Sequence, residues 1–193
     1  RQLLGRIRMA GKPLGEYVNG RLYRGITTGL NEAFVIDAVT RNRLITESSN
    51  SADLIYPLIR GRDIKRWKVE RDDLFIIAFP FGFHTELDRY PAIKKHLEKF
   101  EQGLRNRGQC KSSRNGVEEG QHHWLELDNN PKADFLSEFA HAKIVYPDIA
   151  QSPQFAWDTD NNFLVNTAYM VAGVERWLLA PLNSSVMAWF YSQ

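Results

Sequence analysis

The sequence has one cysteine, no long apolar run and almost no net charge. A single cysteine, Cys110, excludes an intramolecular disulfide and favours a reducing compartment. No run approaches the roughly 18 apolar residues of a membrane-spanning helix, and the opening R-Q-L-L-G-R-I-R lacks the apolar core of a signal peptide. We therefore expect a cytoplasmic protein without a membrane partner. The formal net charge of +2 argues against a uniformly basic nucleic-acid-binding protein.

The charge is nevertheless divided unevenly along the chain. Residues 1–114 carry 22 basic and 13 acidic side chains, a net charge of +9, whereas residues 115–193 carry 3 and 10, a net charge of −7. The first part of the chain could therefore present a basic surface although the chain as a whole does not.

The length and composition predict one domain. A chain of 193 residues, 43% of them hydrophobic, can bury one sizeable core. We expect a flexible lead-in over residues 1–20 and a single domain over residues 21–193. The chain begins with Arg1 rather than Met and closes on the apolar run M-A-W-F-Y, so we expect a piece cut from a longer enzyme.

Short runs of β-branched and aromatic residues predict strands at 54–59, 73–79, 143–146, 154–158 and 163–171, the last with a break near Asn166. Residues 21–37 predict a strand, a glycine-rich turn and a second strand. From Pro91 to Gly108, an apolar stripe at helical spacing predicts a helix with a basic outer face that ends at Gly108. Residues 174–191 predict two helices interrupted at Pro181. The expected fold is α+β: mixed, mostly antiparallel twisted sheets with one inserted basic helix and C-terminal helices.

The densest basic segment is I-R-G-R-D-I-K-R-W, residues 59–67. Between Arg60 and Asp72 there are six basic and three acidic residues. Such side chains can neutralise consecutive phosphates, and Arg can also bind guanine O6 and N7 in the major groove. Taken alone, this segment could instead be a solvated loop without a ligand. The basic helix and the stretch around Lys111 add two more basic segments to the same half of the chain, which favours a basic surface.

The sequence lacks the residue patterns of several catalytic and ligand-binding sites. The turn G-I-T-T-G-L-N has neither the lysine nor the following helix of a phosphate-binding loop, so it predicts either a hairpin turn or a turn whose Thr27, Thr28 and Asn31 touch a ligand. Pro147-Asp148 resembles the start of a metal-dependent nuclease motif, but no Lys or Glu follows within residues 150–174. No catalytic residue and no metal site are predicted.

The order of these segments resembles the TaqI-like C-terminal specificity domain of adenine-specific DNA methyltransferases and type IIG restriction-modification enzymes. The resemblance rests on R-G-I-T-T-G-L-N-E-A-F, I-R-G-R-D-I-K-R-W, W-L-E-L, K-I-V-Y-P-D-I-A, F-A-W-D, N-T-A-Y-M-V and L-L-A-P-L-N-S, from about Gly11 to Tyr191. It implies a domain that grips duplex DNA and reads base edges, while a separate catalytic domain binds S-adenosylmethionine and flips out the adenine. The fragment itself would hold no cofactor and catalyse nothing; the parent would methylate adenine N6, with or without DNA cleavage.

On this reading the basic side chains hold phosphates, and the polar loops around Thr28 and 105–114 read bases. Asp63 is expected to orient Arg62, and Trp67 to lie in the core. The sequence departs from the family pattern at two positions. Asp128 replaces a basic residue, which argues against DNA contact there, and Pro181 within the terminal helix predicts a kink. The candidate DNA-binding residues are Arg24, Thr28, Asn31, Arg60, Arg62, Lys65, Arg66, Lys95, Arg105, Arg107, Lys111 and Arg114.

Two other functions remain open. A nuclease whose metal ligands are scattered along the chain would cleave plasmid with magnesium. A protein-interaction module would bind a partner through the aromatic C-terminal helices, with the basic segments incidental.

Overall fold

The computed structural model describes residues 5–6, 9–111 and 122–192. Its helices are α1 (Leu14–Tyr17), α2 (Asn31–Phe34), α3 (Ala38–Glu47), α4 (Pro91–Glu98), α5 (Glu101–Arg105), α6 (Gly108–Lys111), α7 (Ala133–Glu138), α8 (Leu179–Leu182) and α9 (Ser185–Tyr191). Its strands are β1 (Leu22–Arg24), β2 (Val35–Asp37), β3 (Ile55–Ile59), β4 (Ile64–Lys65), β5 (Lys68–Val69), β6 (Leu74–Ile77), β7 (Lys143–Pro147), β8 (Ala156–Asp158), β9 (Phe163–Leu164) and β10 (Ala168–Ala172). Four 3₁₀ segments, Ser49–Leu54, Gly61–Asp63, Phe83–Arg89 and Arg176–Leu178, connect them.

The strands form two four-stranded sheets and one short ribbon. The first sheet has the order β1-β10-β7-β8 and is antiparallel throughout, with Tyr169 opposite Tyr146. The second has the order β2-β6-β3-β9, in which only β3 and β9 run parallel. The ribbon pairs β4 with β5. The α+β class and the mostly antiparallel sheets are confirmed.

The two sheets meet where β9 and β10 follow one another along the chain. Ile26, just beyond β1, forms a parallel bridge with Val165, and its N–H donates to the carbonyl of Leu164 at 2.7 Å. Gly25 permits this approach, because a Cβ there would lie 2.2 Å from the Val165 carbonyl oxygen. The segment with the predicted break near Asn166 therefore joins one sheet to the other.

A large apolar core packs the second sheet against α2, α4 and α5. It includes Phe34, Phe79, Leu97, Leu104 and Phe139, all 0–1% exposed. A smaller cluster, centred on Val18, Ile144, Phe155, Val171 and Leu179, packs the C-terminal helices against the first sheet. The lead-in that was expected to be flexible thus contains α1 and contributes the buried Val18.

The predicted strand, turn and strand over residues 21–37 is wrong as a hairpin. β1 and β2 belong to different sheets, and Asn31–Phe34 between them is helical. The sequence prediction also omitted α3, whose first turn is capped by Asp37, which accepts from the Thr40 N–H at 2.8 Å.

The helix predicted from residue 91 to 108 is two helices. Its break falls at Lys99 and Phe100, and Gly108 begins α6 rather than ending the helix. Near the C-terminus, α8 includes Pro181, and the break follows at Asn183 and Ser184. The expected kink at Pro181 is therefore displaced by two residues.

Candidate nucleic-acid interface

The basic segment after β3 folds into a tight turn that immobilises its first arginine. The carboxylate of Asp63 accepts from the Arg60 backbone N–H at 2.8 Å and from Nε and Nη2 of Arg60 at 3.0 Å each. Arg60 also pairs with Asp72. These hydrogen bonds, that to Asp63 above all, raise the pKa of the Arg60 guanidinium. Two carboxylates neutralise Arg60, so it acts as a structural residue rather than the phosphate contact that was expected.

Asp63 was expected to orient Arg62, and its main partner is Arg60 instead. Arg62 lies 3.9 Å from Asp63 Oδ1 and keeps 72% of its side chain exposed. Lys65 donates to the Arg62 carbonyl at 2.7 Å, and Arg66 donates to the Asn183 carbonyl at 2.6 Å. Of the four cations expected to hold phosphates, Arg62 and Arg66 are exposed, and Arg60 and Lys65 are half-buried.

The Arg62 turn, residues Gly61–Asp63, is fixed to the first sheet. The N–H of Gly61 donates to Thr167 Oγ1 at 3.0 Å. A Cβ on Gly61 would lie 2.2 Å from the Thr167 carbonyl oxygen. The same carbonyl accepts from the Asp148 N–H at 2.8 Å. Because the backbone on both sides of Arg62 is held, the guanidinium extends from a rigid base.

A cavity of about 260 Å³ opens beside this turn. The loop after β7 supplies Asp148, Ile149 and Gln154 to its wall, which Arg62 also lines. Ile149 is 90% exposed, and the Asp148 side chain is 37% exposed. None of these loop residues was among the predicted DNA-binding residues, and Asp148 stood out only as part of a nuclease-like motif. A Gln and an exposed Ile beside Pro147-Asp148 carried no motif to mark them.

Arg24 lies at the edge of the same region. Its Nε donates to the Asn166 carbonyl at 3.0 Å, and its Nη2 lies 3.5 Å from Asp148 Oδ2. The side chain remains 53% exposed, and its guanidinium carbon is 5.9 Å from the Tyr169 ring centroid. The structure therefore brings two of the candidate cations, Arg24 and Arg62, to one carboxylate-bearing loop.

The prediction that Trp67 lies in the core is wrong. Trp67 is 49% exposed and adopts a left-handed backbone conformation with φ of 75°. Its backbone N–H donates to the Phe155 carbonyl at 2.9 Å, and the Arg66 guanidinium carbon lies over its ring, 5.5 Å from the centroid. The turn between β4 and β5 thus presents an indole and a guanidinium together at the surface.

The glycine-rich turn is packed rather than open. Thr28 is 3% exposed, and its hydroxyl donates to Asn31 Oδ1 at 2.7 Å. Arg107, expected to bind DNA, is 7% exposed and donates to the carbonyls of Leu104, Thr28 and Trp124 at 2.7–3.0 Å. Arg107 is a buried strut, and this packing does not support the predicted contacts of Arg107 and the Thr28 side chain with DNA. Asn31 is exposed.

Asp128 belongs to the same packed turn. Its carboxylate Oδ1 lies 3.9 Å from Arg107 Nη1, and its N–H donates to the Thr27 carbonyl at 2.9 Å. The acid that replaces the family's usual basic residue therefore lies against the buried guanidinium.

The remaining candidate cations lie on the helices α4 to α6. Lys95 is exposed on α4, and with Lys99 and Arg43 it lowers the pKa of Glu47 on α3, with Arg43 the main cause. Arg105 donates to Glu101 at 2.7 Å and stacks over Trp124 at 4.9 Å from the ring centroid. Lys111 ends α6, and Arg114 lies outside the described residues.

A second cleft, of about 560 Å³, lies beside α4 and α5 and has an acidic wall. His84 stacks on His123 with ring centroids 4.3 Å apart, and His84 Nδ1 bonds the buried Glu126. Burial, reinforced by the charge of His84, lowers the pKa of His123. Within residues 5–6, 9–111 and 122–192, no group of three or more His, Cys, Asp or Glu side chains is arranged to hold a metal ion.

These features define a mixed α+β domain with a rigid, arginine-bearing turn beside a polar loop. The family model of the TaqI-like C-terminal specificity domain matches residues 56–193. The chain belongs to this family. The matched residues include the Arg62 turn and the loop after β7, whereas the glycine-rich turn lies before them.

One similar solved structure is that of the type IIL restriction-modification enzyme MmeI in complex with DNA. The two share 14% sequence identity with a TM-score of 0.57, over 84% of this chain and 20% of that one. At this identity the likeness concerns the fold, and this chain spans about a fifth of the length of that enzyme. A search of curated proteins gave no match. No helix in the described parts of the chain is long and apolar enough to cross a membrane.

Proposed function

We propose that this chain is the DNA-recognition domain of a restriction-modification enzyme. The observation that carries the proposal is its membership of the specificity-domain family over residues 56–193. MmeI, whose fold is similar, was solved in complex with DNA. The exposed cations of the chain supply the charge that a duplex requires.

Two groups of exposed cations are candidates for phosphate contact. Arg24 and Arg62 flank the loop after β7, and Arg43, Lys95 and Lys99 surround Glu47 on α3 and α4. Each neutralised phosphate releases counterions, so binding should weaken as salt rises. Because carboxylates offset several of these cations, we expect modest affinity for arbitrary sequences, about 10⁻⁴ to 10⁻⁶ M at physiological salt.

A titration of the chain with fluorescent duplex DNA between low and physiological salt tests this proposal. We expect the logarithm of the binding constant to fall linearly with the logarithm of salt concentration. The variant Lys95→Ala/Lys99→Ala should reduce that slope by about 2 if both lysines contact phosphates. The variant Arg89→Ala, at an exposed arginine on the 3₁₀ segment before α4, serves as a control that removes one positive charge elsewhere. Binding that is absent, or independent of salt, would contradict the proposal.

We further propose that the parent enzyme is an adenine-N6 DNA methyltransferase of the type IIG class that acts in the cytoplasm. A separate domain of the same enzyme would bind S-adenosylmethionine, and the present chain would hold no cofactor. Methylation of plasmid by the parent, read out as protection of adenine sites, would test the activity. Magnesium-dependent cleavage in the same assay would show whether the parent also cuts DNA.

The C-terminal helices offer a surface for that catalytic domain. The side chains there are apolar and 37–65% exposed: Trp177, Val186, Trp189, Phe190 and Tyr191. Apolar patches of this kind mark protein contacts. In the parent, Val186→Glu should reduce methylation while leaving DNA binding by the present chain unchanged. Unaltered methylation would count against this docking surface.

A further inference from the structure

The cavity beside the Arg62 turn combines three kinds of recognition group. Arg62 provides a donor fork, Asp148 a carboxylate acceptor and Gln154 an amide, while Ile149 adds an apolar surface. Gln154 is half-buried, whereas Arg62 and Ile149 are largely exposed. A ligand that fits this wall must offer both acceptors and a donor within a few ångströms.

The Asp148 carboxylate favours a base over a phosphate as the ligand of this cavity. A phosphate carries acceptor oxygens only, and the negative charge of Asp148 would repel it. A G·C pair presents guanine O6 and N7 as acceptors and the cytosine N4 amino group as a donor in the major groove. Arg matches the first two atoms with two parallel hydrogen bonds, and Asp accepts from the third.

The backbone supports this kind of recognition, because base discrimination depends on fixed geometry. Gly61 and Asp148 both bond to Thr167, the residue before β10. The turn that carries Arg62 and the loop that carries Asp148 are therefore tied to the same residue of the first sheet. Asp63 and Asp72 hold Arg60, so the turn keeps its shape while the Arg62 guanidinium stays exposed.

We propose that Arg62 and Asp148 read one G·C pair through the major groove, with Arg62 donating to guanine O6 and N7 and Asp148 accepting from cytosine N4. The proposal rests on the proposed DNA-recognition function and makes it more specific. It reassigns Arg62 from a phosphate contact to a base-reading residue. It also adds Asp148 to the site.

Selection from a library of randomised DNA duplexes tests the proposal with the chain itself. The unaltered chain should enrich a short motif that contains at least one G·C pair. Arg62→Ala should relax one position of that motif by roughly 5- to 150-fold and leave the other positions in place. Arg62→Lys should relax the same position, because Lys keeps the charge but lacks the planar donor fork. Asp148→Asn should relax it too, although it removes a negative charge.

The two roles of Arg62 give opposite results in this series. If Arg62 held a phosphate, Arg62→Lys would bind much as the unaltered chain does, and Arg62→Ala would weaken every sequence alike. If Asp148 merely opposed the DNA charge, Asp148→Asn would strengthen all sequences alike. Either result overturns the proposal. Arg71→Ala, at an exposed arginine outside the cavity, is the matched control and should preserve the motif.

Failure of the broader function has a different signature. If the unaltered chain shows no salt-dependent DNA binding, both the proposed function and this inference fall. If it binds DNA but the G·C position survives in Arg62→Ala, only the inference falls. Urea unfolding of each variant, with a midpoint equal to that of the unaltered chain, excludes loss of the fold as the cause.

Discussion

The substitution Gly61→Ala probes the contact that fixes the Arg62 turn to the first sheet. A Cβ at this position would lie 2.2 Å from the carbonyl oxygen of Thr167 and 3.1 Å from its carbonyl carbon. Ordinary contacts of this kind are 3.4–4 Å long. Since the neighbouring atoms are backbone, the turn and β10 would have to move apart by about 1 Å.

The cost follows from three contributions. Overpacking typically costs about 1–3 kcal/mol. Separation would also weaken the hydrogen bond from the Gly61 N–H to Thr167 Oγ1, worth about 0.5–1.5 kcal/mol. The reduced freedom of the unfolded chain offsets about 0.4–1 kcal/mol. We expect Gly61→Ala to lower the free energy of unfolding by about 0.5–4 kcal/mol, which corresponds to a drop in Tm of about 1–16 °C.

Urea unfolding followed by tryptophan fluorescence measures this loss as a lower midpoint at an unchanged slope. Gly15→Ala is the matched control, because a Cβ there would make an ordinary 3.6 Å contact with Leu22 Cδ1. Gly15 lies within α1, so this substitution should raise stability by about 0.5–1 kcal/mol. If Gly61→Ala unfolded at the same urea concentration as the unaltered chain, the tight approach of Gly61 to Thr167 would be refuted.

Three further predictions concern buried ionisable side chains. Arg107→Met would remove the guanidinium that donates to three carbonyls and should cost about 3–5 kcal/mol in urea unfolding. A neutral result would contradict its role as a strut. Asp158→Asn would remove the charge that pairs with the fully buried ammonium of Lys143, 2.6 Å away, and should cost about 3–5 kcal/mol. The double variant Lys143→Met/Asp158→Leu should recover most of this loss. A double variant no more stable than Asp158→Asn would argue against the pair. Burial lowers the pKa of His96 below its ordinary 6.5, so the unfolded chain takes up the proton more readily and stability should fall as the pH drops below that value. His96→Gln should flatten the dependence between pH 5 and 7.5, and an unchanged slope would refute this assignment.

The local strand signals in the sequence were largely sufficient. β3, β6 and β8 lie within predicted runs of β-branched and aromatic residues, and β7 extends one residue beyond its run, because such side chains suit a pleated, half-buried surface. α3 was missed since its sequence, A-V-T-R-N-R-L-I-T-E, buries only Leu44 and so carries little helical stripe. The available signal was Asp37, an N-cap residue three positions before Thr40, but it was assigned to the end of the strand predicted up to residue 37.

Hydrogen-bond partners over long sequence separations could not be predicted. Arg107 resembles any surface arginine in the sequence, and its burial depends on the carbonyl of Thr28, 79 residues earlier. Trp67 resembles a core residue, yet a left-handed turn directs it outward. By contrast, R-G-R-D did indicate a local partner for Asp63, although the expected arginine was Arg62 and the observed one is Arg60, three residues before Asp63. The sequence therefore indicated a local pair but not its members, and the long-range partners were not accessible.

The neutralisation of Arg60 bears on how this domain could separate specificity from general affinity. A turn with three unpaired cations would attract any duplex, and its guanidinium groups would settle on phosphates of every sequence. Here Asp63 and Asp72 offset the charge of Arg60, and Asp148 lies beside Arg24 and lines the same cavity as Arg62. The non-specific attraction at this site is thereby reduced, while the geometry of one donor fork is retained. Discrimination between sequences is a difference of binding free energies. When the electrostatic contribution that all sequences share is smaller, the contribution that depends on the bases makes up a larger share of the binding free energy.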